Sequence, residues 1–223
     1  MPDAQITVIT PTTGRSSLRQ LIDSVDRENS SGSVFHILLW DDCRDTSAPD
    51  PHSLDSANRI NLVLSKGFGR NGNAPGSPLR AVGLMAVNTP WATFADDDVW
   101  WDAGHLTALA SASRGANWVS TLRTIWSPAG QCLGVDRFES VGDDPTRAVP
   151  YEMCDNNCIA FRRELGVAAA SLYRETTDYN DDRLMYGFLK ANAGSRGVTG
   201  TPTVNQICPE KLVEFFRSNC STN

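Results

Sequence analysis

Several features that would fix the class of this protein at once are missing from its sequence. No run approaches the ~20 apolar residues that a membrane-spanning helix needs. The opening residues, MPDAQITVIT, lack the basic segment and the following apolar run of a secretion signal. We therefore expect a protein without a transmembrane segment, located in the cytoplasm.

Positive charge is also scarce. The chain has 20 Lys and Arg residues against 26 Asp and Glu, which gives a net charge of −6, and no stripe of basic residues stands out. Proteins that bind nucleic-acid backbones need such a stripe to displace counterions from phosphates. We therefore expect no nucleic-acid partner, whereas a nucleotide held by a few aspartates and a metal is compatible with this charge.

Cysteine and histidine are too few and too scattered for a structural metal or a disulfide framework. The 223 residues include six cysteines and three histidines, a density that favours free thiols. Cys154 and Cys158 lie four residues apart, but no histidine is near them to complete a tetrahedral zinc set. We expect no zinc site.

Short β-rich runs and helical patterns alternate through the first half of the chain. Four runs predict strands: residues 6–10, 34–40, 60–65 and 91–95. Apolar residues at helical spacing follow the first run, where Ser16 or Ser17 is a candidate cap, and a further helix is predicted to start near Pro78. This order indicates βαβ units and an α/β fold with a mostly parallel sheet.

The second half is less regular. Strands are predicted over residues 118–126 and 157–163, a helix from Asp181 onward, a Gly/Ser/Thr-rich loop over 191–203 and a last helix over 209–218. No linker divides the chain, so we expect a single domain.

A glycine-rich segment, GFGRNG at residues 67–72, has the spacing G-x-G-x-x-G. A dinucleotide-binding motif opens a helix after the first strand of its sheet. Here the segment follows the third strand, and Pro75 and Pro78 prevent a continuous helix. We interpret it as a phosphate-facing or a structural loop.

Three consecutive aspartates, Asp96, Asp97 and Asp98, follow the fourth predicted strand and precede two tryptophans. Each pair of carboxylates 4 Å apart costs about 1 kcal/mol in water, so a fold keeps them in an open loop or beside a cation. Ligands bind beyond the carboxyl ends of strands in such sheets, where Mg²⁺ and Mn²⁺ combine carboxylate oxygens with water and phosphate. We therefore predict a metal site.

Alternation along a strand tip would let Asp96 and Asp98 share one task while Asp97 has another. The alternative is that the triplet forms an acidic cap on the helix over residues 106–109. Two further acidic pairs also have two possible interpretations each. Asp41 and Asp42 either form a turn or lie on the same edge of the sheet, and the pair at 181–182 either caps its helix or supplies a general base.

Four segments in order resemble the glycosyltransferase family 2 pattern on the GT-A fold over about residues 6–191. They are ITVITPTTGRSSLRQLIDSV, ILLWDD, PLRAVGLMAVNTPWATFADDD and the DD pair that opens an apolar helix. The resemblance implies a GT-A (Rossmann-like) α/β fold, with a central mostly parallel mixed sheet flanked by helices in one domain over residues 1–223. Residues 1–114 would form the nucleotide-sugar-binding half, 115–207 the acceptor half and 208–223 a C-terminal helix and tail.

The same resemblance implies a metal-dependent inverting glycosyltransferase, with Mn²⁺ or Mg²⁺ as cofactor. It would move a sugar from a nucleotide diphosphate, a UDP-hexose, to a hydroxyl of a carbohydrate or another acceptor. The resemblance assigns nucleotide-sugar contacts to Thr10, Pro11, Thr12, Arg15, Asp42, Arg70, Arg80, Asp96 and Asp97, metal coordination to Asp98 with Asp96, and the base to Asp182 or Asp181.

Two alternatives remain at this point. A non-catalytic nucleotide-sugar-binding domain would retain the fold without turnover, although the presence of both Asp98 and Asp182 argues against it. A Mg²⁺-dependent phosphohydrolase of the haloacid-dehalogenase type would need a nucleophilic aspartate after the first strand, which here ends in TPTTGR.

Overall fold

The computed structural model describes residues 5–29, 32–41, 48–143 and 152–221. The strands in this part of the chain are β1 (Ile6–Thr12), β2 (Val34–Asp41), β3 (Arg59–Leu64), β4 (Trp91–Phe94), β5 (Val99–Trp101), β6 (Trp118–Trp126), β7 (Cys132–Asp136), β8 (Ile159–Arg162), β9 (Arg196–Ile207) and β10 (Cys220–Ser221). The α-helices are α1 (Leu18–Glu28), α2 (Ser77–Ala86), α3 (His105–Ala112), α4 (Arg163–Glu175), α5 (Asp181–Asn192) and α6 (Val213–Asn219). Short 3₁₀ helices lie at Pro51–Leu54, Asn156–Cys158 and Glu210–Leu212.

A single mixed sheet contains all ten of these strands, in the order β10-β7-β6-β8-β4-β1-β2-β3, with β9 paired to β5 and β6. The strands β4, β1, β2 and β3 are parallel, as the βαβ pattern predicts. The other pairs are antiparallel except for β6 with β9. The sheet is mixed because β6 and β7 are joined by a turn of five residues, which is too short for a parallel crossover.

The core lies on both faces of the parallel strands. Every residue of β1 is buried, as expected for a strand covered by helices on both faces. Helix α1 buries Leu18, Leu21, Ile22 and Val25 against the sheet, so the helical spacing of these residues predicts the packing face correctly. Ser17 occupies the N-cap position of α1, but its side chain makes no capping hydrogen bond.

Two predictions for the second half are wrong. Residues 191–203 are not a loop, because β9 starts at Arg196 and is hydrogen-bonded to β6 and, further along, to β5. The Gly, Ser and Thr residues of this segment are typical of a loop, but hydrogen bonding to β6 and to β5 stabilises it as a strand. Helix α4 was not predicted. It begins at Arg163, the end of the predicted strand over 157–163, and packs on α2.

Five cysteines in the described residues are free thiols: Cys132, Cys154, Cys158, Cys208 and Cys220. Burial raises the pKa of Cys154 to about 12, which keeps this thiol protonated and unreactive. Within the same part of the chain, none of the helices has the length and apolar character required to cross a bilayer.

Candidate functional site

A cleft of about 300 Å³ opens at the carboxyl ends of β1, β2 and β4. Its lining residues are Pro11, Thr12, Thr13, Arg15, Asp41, Gly69, Arg70, Pro75, Gly76, Leu79, Arg80, Asp96, Asp97 and Asp98. The parallel register places the ends of these strands side by side, since Ile9 pairs with both Ile37 and Phe94. This is the edge at which open α/β sheets bind ligands.

Asp97 fixes the loop that follows β1. The hydroxyl of Thr12 donates to Asp97 Oδ2 at 2.7 Å, and the backbone N–H of Gly14 donates to the same hydroxyl at 2.8 Å. Arg15 Nη1 lies 3.4 Å from Asp97 Oδ1. Burial raises the pKa of Asp97, although Arg15 and Thr12 oppose this shift. In this geometry the carboxylate holds the first loop as well as lining the cleft.

Asp98 differs from its neighbours because one of its oxygens is buried without a partner. Arg15 Nη1 lies 3.1 Å from Oδ2, whereas Oδ1 has no hydrogen-bond partner among the described residues. Burial, followed by the charges of Asp96 and Asp97, raises the pKa of Asp98 to about 7. A buried, unpartnered carboxylate oxygen is costly, and a cation would satisfy it.

Asp96 and Asp181 are joined by a buried arginine. Arg80 Nη2 lies 2.5 Å from Asp96 Oδ1, and Arg80 Nη1 lies 3.1 Å from Asp181 Oδ2. Ser77 donates a further hydrogen bond of 2.8 Å to Asp181 Oδ2. The two carboxylates raise the pKa of Arg80 against the opposing effect of burial. Arg80 thus connects the aspartate triplet to the start of α5.

Asp182 follows Asp181 in the first turn of α5. Its Oδ1 accepts a hydrogen bond of 2.8 Å from the backbone N–H of Asn156. Burial, followed by the negative charges of Asp155 and Asp181, raises the pKa of Asp182 well above that of an ordinary aspartate. A carboxylate with a raised pKa is a stronger base once it has lost its proton.

Sequence reasoning missed the turn at residues 155–157. Asn157 Oδ1 accepts from the backbone N–H of Asp96 at 2.7 Å, and Asn157 Nδ2 donates to Asp96 Oδ2 at 3.3 Å. Asp155 in turn accepts from the Asn157 backbone N–H at 2.8 Å. The signal in the sequence was three polar residues, DNN, between two buried cysteines.

A second group that sequence reasoning missed surrounds Arg123, which is 2% exposed. Its guanidinium donates to Asp136 at 2.9 Å, to Glu139 at 2.6 Å, to Gln206 at 2.5 Å and to Asp155. The only hint in the sequence is an arginine in the middle of an apolar strand.

The structure shows the surroundings of several residues that the resemblance assigns to the site. Thr10 does not line the cleft, since its hydroxyl lies 2.9 Å from His36 Nε2 in the core. Both oxygens of Asp96 accept hydrogen bonds, Oδ1 from Arg80 and Oδ2 from Asn157, and its role as a metal ligand stays a prediction. The alternation that would pair Asp96 with Asp98 also fails, because the triplet lies in a loop between β4 and β5 rather than on a strand.

The capping alternatives have different outcomes. The triplet does not cap a helix, since β5 separates it from α3, whose N-cap is Gly104. Asp181 and Asp182 do lie in the first turn of α5, where negative charge is favourable, but neither is its N-cap. Asp42 lies outside the described residues, whereas Asp41 ends β2 and lines the cleft.

The segment GFGRNG forms one wall of the cleft. The Gly67 backbone N–H donates to Asp41 Oδ1 at 2.6 Å. A Cβ at Gly69 would lie 3.0 Å from both Asp41 Oδ2 and Leu79, and Gly72 has φ +58° with Thr177 O 2.5 Å from a Cβ position. The segment is therefore a tightly packed structural loop that also presents Arg70 to the cleft.

The raised pKa of Asp98 leads to a stability prediction. Stability from a carboxyl with a raised pKa is present at low pH and is lost as the pH rises through the folded-state pKa, here about 7. Asp98→Asn cannot ionise, so its melting temperature should exceed that of the wild type at pH 8 by about 4 °C, and by less at pH 5. Differential scanning fluorimetry measures this, with the exposed Asp23→Asn as the control. A difference that is the same at both pH values would contradict the raised pKa.

The fold and the site together define an α/β protein with a mixed sheet and an acidic, ligand-sized cleft at the carboxyl edge of its parallel strands. No family model and no curated protein matches this chain. Solved structures do match it. S. aureus TarS 1-349 superposes with a TM-score of 0.66 at 16% identity, over 98% of this chain and 67% of that one. The same TarS piece in complex with UDP-GlcNAc gives 0.63 at 14% identity, over 92% and 59%.

A longer TarS chain gives a TM-score of 0.67 at 15% identity, and the match covers 98% of this chain but only 40% of TarS. The chain therefore has the GT-A fold that it shares with TarS, which confirms the predicted fold class. It spans less than half the length of this TarS chain.

Proposed function

We propose that this protein is a glycosyltransferase that moves a sugar from a UDP-sugar to an acceptor hydroxyl by direct displacement. The observation that carries the proposal is the acidic cleft, whose aspartate triplet is connected through Arg80 to the acidic start of α5. Asp98 has a free, buried oxygen on the cleft, and Asp182 lies at the start of α5 beyond Arg80. The GT-A fold, and the UDP-GlcNAc bound by TarS with the same fold, support a nucleotide-sugar donor.

The residues of the cleft suit a nucleoside diphosphate. Arg70 is exposed on the cleft and is available to phosphate oxygens. The side chain of Arg15 is 59% exposed, but its Nη1 is paired with Asp97 and Asp98, which leaves its other N–H groups for phosphate. Asp41 and Pro11 lie at the ends of β2 and β1, where we place the nucleoside. The hydrogen bond from the Gly67 backbone N–H to Asp41 Oδ1 fixes this wall of the cleft.

The acidic triplet fits a divalent cation through one residue. No three His, Cys, Asp or Glu side chains in the described ranges are arranged to hold a metal by themselves. Asp98 would therefore hold Mn²⁺ or Mg²⁺ together with donor phosphates and water, as small divalent cations are commonly bound. When bound, the metal supplies Lewis-acid stabilisation of the leaving diphosphate.

Asp182 is the base in this proposal. Asp181 is held by Ser77 and Arg80, whereas among the described residues the donor to Asp182 is the Asn156 backbone N–H, which bonds to Oδ1. The other carboxylate oxygen of Asp182 would accept the proton of the acceptor hydroxyl while the hydroxyl oxygen attacks the anomeric carbon and the nucleoside diphosphate leaves. One base and one activated leaving group give a single displacement with inversion.

The phosphohydrolase alternative lacks its nucleophile in this structure. The carboxyl end of β1 carries Thr10, Pro11 and Thr12, and the carboxylate that reaches this loop, Asp97, is bonded to Thr12 and Arg15. The non-catalytic alternative differs from our proposal only in turnover, so the assay below separates the two.

The test is a thermal-shift titration with UDP and UDP-GlcNAc, with and without Mn²⁺. Ligand at 100 times its Kd adds about 2.7 kcal/mol, or about 5–10 °C for a domain of this size. Asp98→Ala should lose the part of the shift that depends on Mn²⁺, while Asp23→Ala, on the exposed face of α1, should keep it. A wild-type protein that no UDP-sugar stabilises with Mn²⁺ would overturn the proposal. A clear shift without any UDP release would indicate a binding domain.

A further inference from the structure

The turn at Asp155, Asn156 and Asn157 contacts both sides of the proposed site. Asn157 is bonded to Asp96 twice, through the backbone N–H and the carboxylate of that residue. The next residue back, Asn156, donates its backbone N–H to Asp182 at 2.8 Å. Two consecutive residues thus contact the aspartate triplet on the donor side and the proposed base on the acceptor side.

The turn is itself held firmly. Asp155 Oδ1 accepts from the backbone N–H and the side-chain Nδ2 of Asn157, at 2.8 and 2.9 Å. Its other oxygen is paired with Arg123. The hydroxyl of Tyr173 donates to Asn156 Oδ1 at 2.8 Å. Asn156 and Asn157 are each 2% exposed, so neither can relax into solvent.

The side chain of Asn156 also carries an unusual feature. Its Nδ2 is buried and has no hydrogen-bond partner among the described residues. Burying an unpaired amide N–H opposes folding, and strained or unpaired groups of this kind cluster at functional sites. A side-chain amide retained at this cost, on the residue whose backbone N–H donates to Asp182, suits a role other than stability.

We propose that this turn sets the distance between the donor side and the base, and that Asn157 is a positioning residue for transfer. The inference rests on the proposed function. Direct displacement needs the attacking oxygen, the anomeric carbon and the leaving oxygen in line, and a misplacement of about 1 Å costs roughly 100-fold in rate. Asp96 and Asp182 lie far apart in the sequence, and the turn connects them through consecutive residues.

Asn157→Ala tests the proposal by separating binding from rate. With Mn²⁺, the calorimetric Kd for UDP should change by less than about threefold, while the rate of UDP release from UDP-GlcNAc should fall about 100-fold. Asn61→Ala is the matched control. It also removes a buried amide with side-chain bonds, to Trp40 and Asp55 on the far edge of the sheet, and should leave both quantities unchanged. A variant rate within threefold of the wild type, or equal losses of binding and rate, would overturn the inference.

Hydrogen exchange in the ligand-free protein gives a readout that does not depend on activity. In Asn157→Ala the amide of Asn156, which is bonded to Asp182, should lose protection, although its own partner is unchanged. Retained protection of that amide would show that the turn does not couple the two sides. If the wild type neither binds UDP nor releases it from UDP-GlcNAc, the proposed function fails. Hydrogen exchange of the Asn156 backbone amide still shows whether the turn couples Asp96 to Asp182.

A milder variant keeps the test valid if Asn157→Ala does not fold. Tyr173→Phe removes the hydroxyl that donates to Asn156 and leaves the buried ring in place. We expect the same separation of binding from rate, reduced to about tenfold because only one bond to the turn is lost. An unchanged rate in Tyr173→Phe would count against the positioning role.

Discussion

Arg123→Met is expected to lower the melting temperature by about 6–20 °C, the largest stability effect of any single substitution proposed for this protein. The guanidinium is buried, lies 5.6 Å from the centre of the Phe216 ring and is paired with the carboxylates of Asp136, Glu139 and Asp155. Removing one partner of a buried ion pair costs about 3–5 kcal/mol, because the remaining charge has no compensation.

The loss of the Arg123 charge also makes the lowered stability of Arg123→Met depend on pH. Without the guanidinium, the buried carboxylates of Asp136 and Asp155 and the half-buried one of Glu139 repel one another and favour their protonated forms. The folded variant then binds protons more tightly than the unfolded chain, so its deficit should be larger at pH 8 than at pH 5.

Calorimetry or circular dichroism at the two pH values measures both parts of this prediction. Arg174→Met is a suitable control, because Arg174 is exposed and is paired with the adjacent Glu175, and exposed pairs contribute about 0–1 kcal/mol. An Arg123→Met protein that melts within about 2 °C of the wild type would show that the buried ion-pair group does not stabilise the fold.

Asp182→Asn is expected to reduce sugar transfer by about 10²–10⁴-fold, which is the usual contribution of a general base. Asparagine has the same size, and its Oδ1 can still accept the hydrogen bond from Asn156, so the site should keep its geometry. Donor binding should therefore be unchanged within about twofold, because only the proton acceptor is lost.

The pH profile identifies the base more sharply than the rate alone. In the wild type the rate should rise with pH as Asp182 loses its proton. The rise should lie above the range of an ordinary aspartate, because burial and the charges of Asp155 and Asp181 raise its pKa. In Asp182→Asn the residual rate should lack this limb. Transfer at the wild-type rate, or an unchanged profile, would assign the base to another group.

The experiment measures UDP release over pH 5–9, with UDP-GlcNAc and Mn²⁺, for the wild type, for Asp182→Asn and for Asp181→Asn. Asp181→Asn is the informative comparison. Its carboxylate is paired with Arg80 and Ser77, so its substitution should alter stability. It should keep the pH limb but move it to lower pH, because the Asp181 charge that helps raise the pKa of Asp182 is lost. A lost limb in Asp181→Asn alone would exchange the roles of the two aspartates.

Local patterns account for the correct part of the sequence-based picture. The strands β1, β2 and β4 are buried apolar runs and α1 is an amphipathic helix, so their patterns are visible within short segments. Once those strands are parallel, the residues after them must lie at one edge, which explains why the triplet was predicted to lie there, whereas Pro11, Thr12, Arg15 and Arg80 were assigned by the family resemblance.

The hydrogen-bond and ion-pair partners of each carboxylate could not be predicted from such local patterns. Asp96 looks like a metal ligand in the sequence, and the structure shows that Asn157, 61 residues away, and Arg80 donate hydrogen bonds to its oxygens. Arg80 also reaches Asp181 across 101 residues, and Arg123 reaches Gln206 across 83. Contacts at such separations depend on how the elements pack, so no local pattern records them.

The sequence alone determined the α/β class, the parallel half of the sheet and the edge at which the acidic residues gather, because burial and alternation are properties of short segments. The tertiary structure decided which oxygen remains free at Asp98, which neighbours hold Asp181 and Asp182, and that β9 is a strand. Each of these depends on pairing between distant segments, whose hydrogen bonds and charges exist only once the chain has folded.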